Sequence, residues 1–234
     1  MVIATNIIHM YIGLPICMYL AVHGLLSSKK SRNQITVYMT YAASAMVVAL
    51  CLYLSVPTFL VSGKTAGLLV FAGDVFQFLA LFWVWVIVIR IFLARQSILR
   101  KVSYISAGLL FGICVALSWS ANTGYATGVI LRNGLLILDF AYPPAYALWS
   151  ALNFVSILLL GIYFLRESHY AIVASQRWRL RAFASFFMLI SIIFVAQPFL
   201  LFSFQSILVS VLFAIAFVAL GVFSGLALLK QTRQ

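Results

Sequence analysis

The sequence predicts an all-α fold: a polytopic membrane bundle of seven transmembrane helices with a small extracellular β-hairpin. Of the 234 residues, 65% are hydrophobic and only 8% are charged, whereas about 25% of residues are charged in a typical soluble domain. Apolar stretches that are long enough to cross the roughly 30 Å hydrocarbon core of a bilayer recur along nearly the whole chain. These observations exclude a soluble domain, and they predict a single domain over 1–234.

Seven apolar spans account for most of the chain, and each has about the length expected of a membrane helix. The last two are the hardest to separate, because only four residues, 203–206, lie between them. A single helix over Phe183 to Leu229 would be too long for one crossing, so a tight helical hairpin is required there. We expect the spans at about 2–27, 35–61, 67–94, 102–120, 143–165, 181–202 and 206–229.

The basic residues occur in alternate loops. Only Lys64 and Arg132 lie on one side of the predicted bundle. The positive-inside rule therefore predicts a multi-pass protein of the plasma (inner) membrane, with its N-terminus outside and its C-terminus in the cytoplasm. The net charge of +12 thus reflects membrane topology, and nucleic acid is not an expected partner. The other side holds Lys29, Lys30, Arg32, Arg95, Arg100, Lys101, Arg166, Arg177, Arg179, Arg181, Lys230 and Arg233.

The loop between the fourth and fifth spans predicts a β-hairpin over about 125–140. Asn133-Gly134 lies between two short apolar runs, and Asn-Gly is the favoured two-residue hairpin turn because both positions require a positive φ. An isolated hairpin is only marginally stable, so it must pack on the helices. The apolar residues expected to cap the bundle are Val129, Ile130, Leu136 and Ile137.

Catalytic and metal chemistry have little support in the sequence. His9 and His23 are 14 positions apart on one predicted helix, which separates them by about 21 Å. The chain contains no GxSxG nucleophile motif and no phosphate-binding GxxxxGK[ST] motif. No lysine lies in the middle of a span, where a retinal Schiff base would need it. We therefore expect no enzyme activity, no metal and no cofactor.

The best candidate for a ligand site is a set of polar residues inside the predicted spans. Asp74 lies about two turns from the outer end of the third span, with Gln77 one turn further along the same face. Asn153 on the fifth span and Gln197 on the sixth, which precedes Pro198, would complete an outward-facing pocket. Intramembrane acids usually face the bundle interior or a water-filled cavity. The alternative for each residue is a purely structural hydrogen bond between helices.

Three segments resemble a known family: the Arg132–Gly134 turn, the Tyr142–Trp149 entry into the fifth span, and the Ser175–Arg181 stretch before the sixth. Together with the alternating spans, they resemble the N-terminal seven-transmembrane sensor region of bacterial histidine kinases. That family carries a kinase or another signalling domain after the seventh helix, whereas this sequence reaches Gln234 without one. The resemblance therefore implies a signal that passes to a separate cytoplasmic protein.

The sequence thus predicts a sensor or receptor-like protein of the bacterial inner membrane. It would bind a small or lipophilic ligand in its outer half and signal through a cytoplasmic partner, with membrane lipids as its other partners. A small-molecule transporter of the seven-helix repeat type is one alternative, although no internal sequence repeat is visible. A structural subunit of a larger membrane complex is another. The oligomeric state and the identity of the ligand are left open.

Overall fold

The computed structural model describes residues 7–31, 34–93, 96–124, 127–132, 135–139 and 145–196, together with Val211, Leu212, Ala214, Ile215 and Val218. The chain divides into two compact units, Met1–Tyr146 and Ala147–Gln234. Most described residues are helical, and the other regular structure among them is one two-stranded hairpin. The predicted helical class and the predicted hairpin are therefore confirmed.

Four helices and the hairpin make up the first unit. Among the described residues, these four helices are long and apolar enough to cross a membrane. Helix α2 packs between α1 and α3, and α3 also packs against α4. In chain order the elements are α1 (Ile8–Ser31), α2 (Gln34–Thr58), α3 (Gly63–Phe92), α4 (Ser97–Gly124), β1 (Gly128–Arg132) and β2 (Leu135–Asp139).

Helix α3 begins four residues earlier than the predicted start at residue 67. Its first turn includes the polar residues Lys64 and Thr65, and the backbone N–H of Gly63 donates to the carbonyl oxygen of Thr127 at 2.8 Å. Hydropathy marks where a helix leaves the hydrocarbon, but the backbone can stay helical beyond that point. Asp74 consequently lies three turns from the start of α3, which is deeper than the expected two turns.

The core of the first unit forms where α1, α2, α3 and the hairpin meet. Small residues on α3 allow its neighbours to come close, as is common between membrane helices. A Cβ atom at Gly73 would lie 2.7 Å from the Tyr53 ring, and one at Gly67 would lie 2.7 Å from the backbone oxygen of Asn122. The buried core residues are Ile7, Ala49, Tyr53, Leu54, Val56, Ala66, Val70 and Leu138.

The hairpin is antiparallel, with Arg132 paired to Leu135, so two residues connect the strands. Those two, Asn133 and Gly134, lie outside the described residues. Leu138 and Ile137 are buried, and Val129 packs on the helical core. Ile130 and Leu136, however, are 41% and 37% exposed, so the prediction that they cap the bundle is wrong. Side chains near the base of the hairpin reach the helices, whereas those nearer its tip extend beyond them.

The second unit contains α5 (Ala145–Tyr170) and α6 (Ala174–Ala196). The two helices approach closely at Gly161, where an added Cβ would lie 3.0 Å from Met188 Cγ. Phe164 stacks on Phe187, with 5.7 Å between the ring centroids. Helix α6 begins seven residues before the predicted start at residue 181, because its first two turns carry arginines that hydropathy assigns to the loop.

The predicted count of seven helices is not supported by the part of the chain that the structure describes, which contains six. The predicted seventh span, 206–229, lies almost entirely outside the described residues. Five residues within it are described, and all five are helical: Val211, Leu212, Ala214, Ile215 and Val218. The four helices among the described residues that are long and apolar enough to cross a membrane all belong to the first unit.

Candidate functional site

Asp74 is the centre of a hydrogen-bond network that joins three helices. From α2, the Tyr53 hydroxyl donates to Asp74 Oδ1 at 2.5 Å. From α4, the Ser118 hydroxyl donates to Asp74 Oδ2 at 2.5 Å, and Asn122 Nδ2 donates to the same oxygen at 3.1 Å. The carboxyl group therefore links α3 to both of its neighbouring helices.

The two α4 residues also bond to each other. Ser118 and Asn122 are four positions apart, which places them on one face of a helix. Asn122 Nδ2 donates to the backbone oxygen of Ser118 at 3.0 Å and lies 3.1 Å from Ser118 Oγ. Both residues are only 4% exposed. These contacts and their burial hold both donors toward Asp74.

On the α2 side, Tyr53 contacts two polar residues of α3. Its hydroxyl oxygen lies 2.5 Å from Asp74 Oδ1 and 2.7 Å from Gln77 Oε1. Asp74 and Gln77 are three positions apart, on one face of α3. The close approach of the Tyr53 ring depends on Gly73, since a side chain there would occupy the space of the ring. Gly73 is thus a structural requirement for the network.

The network holds an acid without a basic partner among the described residues. Every side chain that bonds to Asp74 there is neutral. Asp74 is half-buried, while Tyr53, Ser118 and Asn122 are buried. A charge in such surroundings is expensive unless it is paired or hydrogen-bonded, so this carboxyl group is a candidate for interaction with a ligand.

Two buried oxygen atoms near the network have no hydrogen-bond partner within the described part of the chain: Asn122 Oδ1 and Thr127 Oγ1. The first belongs to the amide that bonds to Asp74. The second lies beside Gly67, 3.8 Å from where a Cβ would be. Most buried polar atoms are paired in native proteins, so two unpaired acceptors on this side of α3 are an unusual feature.

The predicted site residues fall into two groups. Asp74 and Gln77 come together, because both contact Tyr53. Asn153 lies on α5 in the second unit, and its side chain is outside what the structure describes; Gln197 is not described at all. The four-residue pocket therefore stays a prediction, and only its Asp74–Gln77 half can be built from contacts.

Sequence reasoning missed Tyr53, Ser118 and Asn122. Tyrosine and serine are common in membrane helices, so neither one stands out by composition. A usable signal existed in the spacing of Ser118 and Asn122, which places two polar side chains on one face of an otherwise apolar helix. Because α3 and α4 are consecutive and antiparallel, residues at equal depth can be paired by counting from the connecting loop. Such a count places the face with Ser118 and Asn122 at the depth of Asp74.

A second polar cluster joins α2 and α3 toward their other ends. Arg90 Nη1 donates to the Tyr38 hydroxyl at 3.3 Å, and the guanidinium carbon lies 5.8 Å from the Tyr38 ring centroid. Tyr38 in turn stacks on Trp83, with 5.5 Å between centroids. We call these three residues the Arg90 cluster. Arg90 is half-buried, and its guanidinium group lies over the Tyr38 ring.

No protein-family model matches this chain, and no curated protein matches it. Over the described residues, no group of three or more histidine, cysteine, aspartate or glutamate side chains is placed to hold a metal ion. Inference about function therefore starts from the contacts of the Asp74 network.

Proposed function

We propose that the chain is an integral membrane sensor that binds a small or lipophilic ligand at the Asp74 network and signals through a separate cytoplasmic protein. One observation carries the proposal: among the described residues, a half-buried carboxyl group is bonded to two neighbouring helices by neutral side chains only. Such a group can exchange a protein donor for a ligand donor without breaking an ion pair. This property suits a reversible binding site.

The same contacts provide a route from binding to movement. A hydrogen bond contributes about 0.5–1.5 kcal/mol to stability, and Asp74 accepts such bonds from Tyr53 on α2 and from Ser118 on α4. A ligand that replaced one of them would release one helix from α3. It could shift the equilibrium only by the difference in its affinity for the two arrangements. To change the ratio of the two helix arrangements tenfold, the ligand must bind one of them more tightly by about 1.4 kcal/mol.

The proposed output lies at the Arg90 cluster. Arg90 is sixteen positions after Asp74 on α3, which places it about 24 Å away along the helix axis. Because both clusters bridge α2 and α3, a shift of α2 at Asp74 would alter the contact between Tyr38 and Arg90. With the orientation that the positive-inside rule predicts, this end faces the cytoplasm. The proposal includes a seventh span over 206–229, which places the two termini on opposite sides.

A thermal-shift screen of the purified full-length chain tests the proposal. We expect a subset of small molecules to raise the unfolding temperature of the wild type and to lose that effect in Asp74→Asn. Ser120→Ala is the matched control, because Ser120 is exposed on α4 and its hydroxyl bonds only to the Leu117 backbone oxygen. If Asp74→Asn left the response to every hit unchanged, the proposal would be wrong.

A transporter is the second candidate, and the depth of Asp74 favours it. Asp74 lies within about 5 Å of the midpoint of the 30-residue helix α3, and transporter sites are typically found near the bilayer midplane. Flux of the screen hits into liposomes that contain the chain separates the two functions. A sensor gives binding without flux, whereas a transporter gives flux that Asp74→Asn abolishes.

A further inference from the structure

Positive charge is concentrated at the corner where α5 turns into α6. Residues 166–181 contain four arginines and one acid, Glu167. One acid cannot neutralise four arginines, so this surface keeps a net positive charge whatever contact Glu167 forms. Three of the arginines are exposed, and we call them the arginine corner: Arg166, Arg177 and Arg181.

Arg177 holds the corner in shape. Its side-chain Nη2 and Nε donate to the carbonyl oxygen of Ala171 at 2.9 and 3.2 Å, and its backbone N–H donates to the carbonyl oxygen of Val173 at 3.0 Å. Ala171 directly follows the last residue of α5, in a region where backbone carbonyls lack helical partners. These bonds tie the end of α5 to the start of α6. The arginine corner is therefore built on a hydrogen-bonded turn.

The packing of the two helices brings Arg166 and Arg181 to the same depth. Phe164 of α5 contacts Phe183 of α6, with 5.7 Å between the ring centroids. Arg166 lies two residues beyond Phe164 and Arg181 lies two residues before Phe183, so both arginines lie about 3 Å from this contact toward the corner. Arg177 is four positions before Arg181 and therefore lies on the same face of α6.

Hydropathy places the arginine corner in the headgroup layer of the bilayer. The predicted fifth span ends at residue 165 and the predicted sixth begins at residue 181, so Arg166 and Arg181 lie at the edge of the hydrocarbon. Arg177 lies four residues further out, or about 6 Å. Each headgroup layer is about 5–8 Å thick. All three guanidinium groups are therefore within reach of lipid phosphates.

The start of α6 favours an anion at this surface. A helix N-terminus carries a partial positive charge, which acidic side chains normally offset. Helix α6 has no acid in its first turn, and Arg177, Arg179 and Arg181 all lie within its first eight residues. Their charges add to the positive helix end instead of balancing it. A bound anion would reduce that repulsion.

Exposed aromatic side chains favour a lipid over an acidic protein as the source of that anion. Tyr170 is 70% exposed and Trp178 is 52% exposed, one on each side of the turn. Tyrosine and tryptophan are enriched at membrane–water interfaces, where their rings lie among the headgroups. A phospholipid surface accounts for both the charge and the aromatic side chains, whereas an acidic protein accounts only for the charge.

We propose that the arginine corner binds the headgroup phosphate of an anionic phospholipid. A guanidinium group donates two parallel hydrogen bonds to a phosphate. A zwitterionic lipid also has a phosphate, but only an anionic lipid brings net negative charge to this positive surface. The site goes beyond the proposed function, because it shares no residue with the Asp74 network and requires no ligand there. With the orientation that the positive-inside rule predicts, the corner faces the cytoplasmic leaflet, which carries a negative surface potential.

Native mass spectrometry of the full-length chain, released from neutral detergent, tests the site directly. The probes are dioctanoyl-phosphatidylglycerol, which is anionic, and dioctanoyl-phosphatidylcholine, which has the same chains but no net charge. We expect the first phosphatidylglycerol to bind at least about tenfold more tightly than phosphatidylcholine. Two arginines suffice for that ratio, since each one near anionic headgroups contributes about fivefold in affinity.

Arg166→Gln/Arg181→Gln is the test variant. Both side chains are exposed, and Arg177 is kept because it holds the turn. The variant should weaken phosphatidylglycerol binding by about tenfold or more and leave phosphatidylcholine binding unchanged. Arg166→Lys/Arg181→Lys keeps both charges, so it should bind phosphatidylglycerol more tightly than the glutamine variant. The matched control is Lys64→Gln/Lys101→Gln, which removes the same charge from exposed positions on α3 and α4 and should behave as the wild type.

Equal affinities of the wild type for the two lipids would overturn the proposal and leave the arginine corner to an acidic protein. An equal loss in Lys64→Gln/Lys101→Gln would also overturn it, because binding would then follow net charge alone. Glycerol phosphate lacks acyl chains, so displacement of the lipid by an equal concentration of glycerol phosphate would contradict a lipid site. Asp74→Asn should leave phosphatidylglycerol binding unchanged, so failure of this inference and failure of the proposed function are distinguishable.

Discussion

The Asp74 network and the Arg90 cluster both join α2 to α3, but they differ in how an ionisable side chain is accommodated. Asp74 accepts bonds as short as 2.5 Å from buried neutral side chains. Arg90 makes one longer bond of 3.3 Å and lies over an aromatic ring. A short carboxylate side chain cannot reach the bilayer surface, so the protein must surround it with donors. A long arginine can extend its charged end toward the headgroups and bury only its stem.

This difference predicts that substitutions around Asp74 change stability more than substitutions around Arg90. Asp74 depends on close packing as well as on donors, since the Tyr53 ring occupies the space beside Gly73. The Arg90 cluster depends on stacking, which tolerates small displacements.

The largest effect is expected for Gly73→Ala. Its added methyl group would lie 2.7–3.0 Å from three atoms of the Tyr53 ring, so either the ring or the helix must move. Overpacking of this kind costs about 1–3 kcal/mol, and loss of the Tyr53–Asp74 bond would add to that. Denaturant unfolding of the purified chain in detergent measures the change. Gly112→Ala on α4 is the control, because nothing lies within 4 Å of that position, and it should leave stability unchanged or slightly raised.

Ser118→Ala should have an intermediate effect. It removes the 2.5 Å bond to Asp74 Oδ2, and leaving a buried acceptor without its donor costs about 1–3 kcal/mol. The same unfolding assay measures the loss, with Ser120→Ala as the control two residues away on α4. Equal stabilities of the two alanine variants would mean that the Ser118 hydroxyl does not support Asp74.

The smallest effect is expected for Arg90→Gln. The substitution removes the cation over the Tyr38 ring, a contact worth about 0.5–1 kcal/mol at a partly exposed position. Arg90→Lys should retain part of this, since a lysine keeps the charge but lacks the planar guanidinium group. A destabilisation by Arg90→Gln larger than that by Ser118→Ala would reverse the proposed ranking of the two clusters.

The sequence predicted the membrane class and the hairpin because both depend on short-range patterns. Helix ends were predicted less well: α3, α4 and α6 begin four, five and seven residues before their predicted starts. Hydropathy locates the hydrocarbon boundary, whereas a helix continues for as long as its backbone is satisfied. Hydropathy alone therefore places a charged first turn, such as the one with Arg100, in a loop.

Part of the site could also be predicted. An acid inside an apolar span is rare, so Asp74 stands out, and Gln77 follows from helical spacing. Tyr53, Ser118 and Asn122 could not be chosen without knowing which helices are neighbours and how they are rotated. The exposure of Ile130 and Leu136 could not be predicted for a similar reason. The sequence indicates how long the hairpin is, but it does not indicate how much of the hairpin contacts the helices.

A double-mutant cycle between Tyr53→Phe and Asp74→Asn is the most direct test of the contact on which the Asp74 network depends. The free energy of unfolding is measured for the wild type, both single variants and the double variant, with Tyr41→Phe replacing Tyr53→Phe in a control cycle because the Tyr41 side chain is exposed. We predict a coupling energy of about 0.5–3 kcal/mol between Tyr53 and Asp74, and no coupling for Tyr41. Additive effects of the Tyr53 and Asp74 substitutions would contradict the proposed role of this network.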